Sequence, residues 1–334
     1  MEIEECKKSS PKINWRMFID GILMIVFSIV LYNLGISTLL YLAPLLVFSA
    51  RYGRNRGSIL ICISLVICFL LEFVHLHLQK ESSSTSLIEL CLLLFIPMSL
   101  SAAGILWMYA KKLKLVFRLL VSVLPSVVFA SIISLVLVVD RALFASLYST
   151  CENAFATMVS PILDTFGFSA DISWLFLLFL VSMSSLILPT TLVAVCANCF
   201  IYETVLHSRE NDWESKVKAI EFSPNMVWFF IFFFALILLF YFVSAPLALE
   251  VIVINIALLF GVLYSIQGFA VLYSWLSRSM ERLKSMSLFL VLFIISSVVP
   301  GINFIVLFGL PLLGLLESFF DLKKIGERKN EDYS

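Results

Sequence analysis

The sequence predicts an all-α, polytopic transmembrane helical bundle of about ten spans, two pairs of them helical hairpins, with both termini cytoplasmic. Three observations predict it. Of the 334 residues 61% are hydrophobic and only 14% are charged, where a soluble domain carries about 25% charged residues. The apolar residues come in runs of the length a bilayer needs, about 20 residues for each helical crossing. Lys and Arg gather on one side of those runs, as they do at a cytoplasmic face. The formal net charge is zero, so nothing points to a nucleic-acid partner, and the partner that the composition does imply is the lipid bilayer.

The elements follow in chain order. Residues 1–16 form a cytoplasmic segment, and "MFIDGILMIVFSIVLYN" after it has the look of a signal sequence without a small-residue cleavage site, hence an uncleaved first span. Met17 to Ala50 is 34 residues, which as one helix would stretch about 51 Å. The break "YNLGIS" makes it a hairpin. Ser58 to His77, Leu87 to Ala110 and Leu115 to Val139 read as single crossings. In the outer segment 140–171, Phe144, Leu147, Cys151, Phe155, Met158, Ile162 and Phe166 recur every three or four residues, the period of one helix face. Such a helix lies on the membrane surface or caps the bundle. Ile172 to Phe200 crosses inward, and the cytoplasmic loop 203–224 carries Trp213, Val217 and Ile220 on one stripe. Val227 to Val243 and Val251 to Trp275 cross next. Ser287 to Phe320 is again 34 residues long and breaks at "PGIN", a second hairpin that ends the transmembrane domain 17–320 before the cytoplasmic tail 321–334. On this path every Lys and Arg except Lys80 and Arg141 faces the cytoplasm.

Catalytic chemistry is not visible. The chain has no HExxH, no GxSxG and no Walker lysine loop, so no enzyme activity, no cofactor and no ATP hydrolysis of its own are expected. Glu72 and His75 resemble half of a carboxylate–histidine metal site, but a second such pair is missing and no metal is expected. Cys196 and Cys199 in "CANC" have redox spacing, yet thiols in lipid are poor nucleophiles, and both read as small packing residues. In "YGRNRG" and the residue before it, Arg51, Gly53, Arg54 and Arg56 make a tight cytoplasmic turn with topology-setting charge. The acids Glu72, Glu81, Glu89, Asp140, Glu152, Asp164, Asp171 and Glu250 map to the outer side.

Within "LEVIVINIALLFGVLYSIQGFAVLYSWLSR" two amides, Asn255 and Gln267, sit in hydrocarbon, where an unpaired amide costs roughly 2–7 kcal/mol. They lie about 18 Å apart along the helix and about 120° apart around it, so they serve different neighbours. Asn255, below Glu250 and on the same outer half as Glu72, is expected to line a ligand cavity. Gln267 is expected to bond a neighbouring span beside Gly268, with Gly261 as a further helix–helix contact. Prolines inside spans, Pro97, Pro125 and Pro189, free backbone groups where a cavity can use them.

Three stretches together carry a family resemblance: "APLLVFSARYGRNRGSILICIS", "FSPNMVWFFIFF", and "INIALLFGVLYSIQGFAVLYSWL" with the closing "GLPLLGLLESFFDLKKIGER". The chain resembles the YybS-like family of uncharacterised bacterial integral membrane proteins, over most of Pro44 to Arg328. The matching positions are Pro44, Arg51, Gly53, Pro224, Trp228, Asn255, Gln267, Gly268 and Asp321. That family is similar in turn to the substrate-binding S-components of energy-coupling-factor transporters. The resemblance implies a multi-pass protein of the bacterial cytoplasmic membrane that binds a small molecule and relies on an external ATPase and coupling module. The alternative is a non-enzymatic structural or scaffold protein of the cell envelope, whose buried amides only bond helix to helix.

Overall fold

The computed structural model describes residues 15–79, 87–167, 171–206, 217, 220–243, 245–279 and 302–323. The first 14 residues, the first part of the second hairpin with Pro300 and Gly301 of its "PGIN" break, Trp213 and most of the tail lie outside them. Every regular element described is helical: α1 Trp15–Asn33, a 3-10 turn η1 Gly35–Leu40, α2 Ala43–Tyr52, α3 Arg54–Gln79, α4 Leu87–Leu93, α5 Phe95–Tyr109, α6 Leu115–Val139, α7 Arg141–Phe166, α8 Ile172–Ser185, α9 Ile187–Leu206, α10 Asn225–Phe242, α11 Leu247–Ser279 and α12 Ile302–Phe320. Six of these, α1, α3, α6, α9, α10 and α11, are long and apolar enough to cross a membrane; α5, α8 and most of α12 are shorter apolar helices. The surface is compatible with a lipid environment. Trp228, Phe229, Phe232 and Leu238 of α10 are all more than half exposed, while Ser28, Ser64, Ser122 and Ser126 are fully buried. That is the reverse of a water-soluble protein, and small polar residues are what membrane helices place at their contacts.

The predicted first break is present. The Asn33 side chain donates to the Ile29 carbonyl at 2.8 Å and Thr38 Oγ1 to the Tyr32 carbonyl at 2.8 Å, closing α1 and folding the chain into η1. The return path is then fixed at both ends. Tyr32 donates to Glu72 of α3 at 2.6 Å, and Tyr52 at the far end of α2 donates to Asp20 of α1 at 2.5 Å. The η1–α2 stretch therefore runs back alongside α1. It is the centre of the core: Tyr41, Leu42, Leu45 and Leu46 are 0% exposed. Gly53, at φ 97°, a backbone conformation open mainly to glycine, turns α2 into α3. Arg54 stacks over Tyr109, 5.5 Å from the ring centroid, so the predicted basic turn with Arg51 and Arg56 is also a contact to the end of α5.

Two predicted single crossings are each two helices. Leu87 to Ala110 divides at Leu94 and Ile172 to Phe200 at Leu186. A proline removes one ladder N–H and its ring presses on the carbonyl four residues back. Pro97 and Pro189 each lie three residues beyond the break, so each acts on the last residue of the preceding helix, Leu93 and Ser185. Pro125, by contrast, lies inside an uninterrupted α6.

The amphipathic outer segment is one helix, α7, begun by Asp140, whose carboxylate accepts the Leu143 N–H at 3.0 Å. It meets the bundle at its middle: Tyr148 and Phe155 pack on Phe176 of α8, with ring centroids at 5.1 and 5.5 Å. Phe144 and Phe166 stay 49% and 69% exposed, so the apolar stripe is only partly spent on the bundle. On the opposite side Val217 and Phe222 are buried against the bundle, and Lys323 Nζ donates to the Ile220 carbonyl at 2.6 Å. The described part of loop 203–224 is thus docked on its own chain. Burial pushes the Lys323 ammonium below the ordinary lysine range despite the attraction of Glu317.

Candidate functional site

Asn255 sits on the interruption between α8 and α9. Its Oδ1 accepts the Leu188 N–H at 3.1 Å and its Nδ2 donates to the Ser184 carbonyl at 2.7 Å, with a second bond to Val251 of its own helix at 2.9 Å. Leu188 and Ser184 are the donor and acceptor that an unbroken helix would join to each other, i to i−4. One amide, with an acceptor and a two-proton donor, replaces that missing bond from the side.

Asn198 does the same for the first hairpin. Its Nδ2 donates to the Leu39 carbonyl of η1 at 2.6 Å and to the Ala194 carbonyl at 2.6 Å, and the side chain is 0% exposed. At the third interruption Tyr32 reaches the Leu93 carbonyl at 3.5 Å, a weak bond by geometry, at the carbonyl that Pro97 cannot serve.

These three interruptions surround one cavity of about 420 Å³. Leu39 comes from η1, Phe95 and Ile96 open α5, Leu186 and Ile187 are the α8–α9 junction, and Ser99 and Thr190 add hydroxyls. Ser99 is 1% exposed and its Oγ has no hydrogen-bond partner among the described residues. Thr191 is spent on the Ile187 carbonyl at 2.7 Å. The space can therefore hold a small, mainly apolar molecule, with Ser99 among the residues of its wall. Irregular backbone lining a cavity is the arrangement in which a membrane interior tolerates broken helices.

The predicted site residues divide. Asn255 lines neither this cavity nor the other one described; its side chain is engaged with Leu188 and Ser184 at the α8–α9 junction. Glu72 is engaged with Tyr32, and Glu250 lies in the first turn of α11, where a carboxylate is favoured by the helix dipole. No described hydrogen bond joins Glu72, Glu250 and Asn255. Gln267 and Gly268 are where a helix contact was expected. A Cβ on Gly268 would collide with the Leu310 carbonyl of α12, and one on Gly314 with the Tyr264 carbonyl of α11. Gln267 Nε2 reaches Ser318 of α12 at 3.4 Å. Gly261 takes no part in this close approach, the nearest atom to its Cβ position being Phe230 Cε2 at 4.0 Å. Among the described residues no three His, Cys, Asp or Glu side chains gather as a metal site, and Cys196 and Cys199 are free thiols.

Sequence reasoning missed Asn198 and Ser99. The signal for Asn198 was its amide in an apolar run, the argument that singled out Asn255. No protein-family model, curated protein or solved structure matches the chain.

Proposed function

We propose that this chain is a small-molecule-binding subunit of the bacterial cytoplasmic membrane, with about ten spans and both termini inside. The observation that carries the reading is the convergence of three helix interruptions on one cavity. Discontinuous helices are how many secondary transporters build substrate sites, and the resemblance to S-component-like proteins points the same way. The binding site comprises the walls from η1, α5 and the α8–α9 junction, with Ser99 as its hydrogen-bonding group. Transport, on this reading, draws its energy from an external ATPase and coupling module, since the sequence has no nucleotide loop.

The scaffold reading has an observation of its own: Asn198, Asn255 and Gln267 bond mainly to protein backbone or to a neighbouring helix. Mass spectrometry of small molecules retained by the gently purified protein separates the two. The binding reading expects a retained molecule that disappears in Ala194→Phe, which fills the cavity from its wall. A protein that is empty from several hosts, or a molecule retained equally by Ala194→Phe, supports the scaffold instead.

A further inference from the structure

A second cavity, of about 280 Å³, lies where α6, α9 and α11 meet the docked residues Val217 and Ile220. Its wall is apolar except for Arg118 and Glu203. The arginine is held with unusual completeness. Its guanidinium lies 3.6 Å from the centroid of the Trp107 ring, Nε donates to the Trp107 carbonyl at 3.0 Å, and Nη1 lies 3.1 Å from Glu203 Oε1. Trp107 Nε1 donates to the same oxygen at 3.3 Å, so the ion pair is fixed in position. Only Nη2 is left over: it is buried and has no partner among the described residues.

A buried donor without a partner is destabilising, more so on a charged group, so an occupant that accepts from Nη2 recovers free energy. Its sign follows from the surroundings. Lys111, over the Tyr202 ring at 5.8 Å, feels Glu203 as attraction and both Arg118 and Arg54 as repulsion. Among the described residues two cations, Arg118 and Lys111, thus stand by the single charge of Glu203, an arrangement that favours a further anion. The remaining wall, including Leu119, Phe200, Ile266 and Phe269, can meet only an apolar body. Taking the roughly 30 Å³ of one water as a unit, the space holds about nine or ten methylene-sized groups.

We propose that this cavity binds an anionic amphiphile, its carboxylate or phosphate accepting from Arg118 Nη2 and its hydrocarbon lying among Leu119, Phe200, Ile266 and Phe269. The site is separate from the cavity at the helix interruptions and stands whether or not that cavity holds a ligand. The same chemistry has two sources, a single-chain acidic lipid of the inner leaflet or a medium-chain organic acid from the cytoplasm.

The test is equilibrium binding of radiolabelled decanoate, oleate, decanol and inorganic phosphate to the full chain in a neutral detergent. One saturable site for decanoate or oleate is expected, with decanol and phosphate at least tenfold weaker. Tighter oleate binding assigns the lipid source, tighter decanoate the soluble one. Arg118→Met alone removes one charge of a buried pair and can disturb the fold, so the decisive variants are the double replacement Arg118→Met with Glu203→Met, which removes both charges together, and Cys199→Phe, which fills the wall and keeps them. Each should weaken binding at least tenfold while circular dichroism still shows a helical protein. Decanol binding as tightly as decanoate, phosphate binding as tightly, or undiminished binding in both folded variants would overturn the proposal.

Discussion

Replacing Asn255 with leucine tests the description of the α8–α9 interruption most directly. The substitution nearly conserves volume but removes the acceptor for Leu188 N–H and the donor to the Ser184 carbonyl. A buried group that loses its partner costs about 1–3 kcal/mol in soluble proteins, and side-chain bonds between membrane helices average nearer 0.6 kcal/mol with a maximum of about 1.7. For two groups the expected loss is about 1–3 kcal/mol. An amide lining an empty polar site would instead be nearly neutral to remove. The background decides the mechanism. Pro189→Ala restores a ladder N–H and removes the ring from the Ser185 carbonyl, so the 184–188 bond can close without help from α11. In that background Asn255→Leu should cost less than about 1 kcal/mol, giving a coupling of about 1–2 kcal/mol between two residues on different helices. Reversible unfolding in bicelles measures all four corners of the cycle. Equal losses with and without the proline would refute the idea that the amide replaces a missing helix bond.

Gly268→Ala should be far more damaging than Gln267→Leu. The glycine substitution drives a methyl group into the Leu310 carbonyl and should cost at least about 2 kcal/mol; the glutamine has one long bond and a buried Oε1 without a described partner, so its loss should stay below about 1 kcal/mol. Comparable losses would place the α11–α12 contact on the amide. Lys323→Met leaves Glu317, whose side chain is 2% exposed, buried without the one cation described beside it and should cost about 3 kcal/mol, most of it recovered by adding Glu317→Met; thermal unfolding of the two variants reads this, and no recovery would mean that the lysine acts through partners other than Glu317, such as Ile220. For topology, a cysteine-free variant carrying one cysteine at Asn153 should react with an impermeant maleimide from outside and one at Asn55 should not. Labelling at Asn55 would invert the proposed orientation.

What was legible in the sequence is what depends on near neighbours. The "YNLGIS" break needs only Asn33 and Thr38, which bond within six residues, and the stripe of α7 is a matter of period. Gln267 beside Gly268 was legible because a small residue next to an amide is itself a contact signature. The rest depended on distant partners. Asn198 reaches 159 residues back to Leu39, and in "CANC" the flanking cysteines offered a more familiar motif than the asparagine between them. Arg118 was read as one of many cytoplasmic cations, because its partner Glu203 lies on another helix and the sum of charges is indifferent to pairing. The prolines show the same limit: Pro97 and Pro189 follow breaks while Pro125 does not, and nothing in the local sequence separates the three.

The two asparagines also bear on whether the cavity is a lasting feature. A broken helix in hydrocarbon has a free carbonyl and a free N–H that lipid cannot satisfy, so without support it either straightens or draws water in. Asn255 supplies both groups at the α8–α9 junction, and Asn198 takes up the carbonyl of Leu39. Neither amide is among the residues that line the cavity, so both support its wall and leave its interior unspent. The one buried hydroxyl in that wall without a described partner is Ser99, on the side where no amide reaches. On the binding reading, a wall held in this way favours a pre-formed site over one that forms on binding, with recognition by Ser99 and the cavity's shape and with Asn255 and Asn198 as the positioning residues.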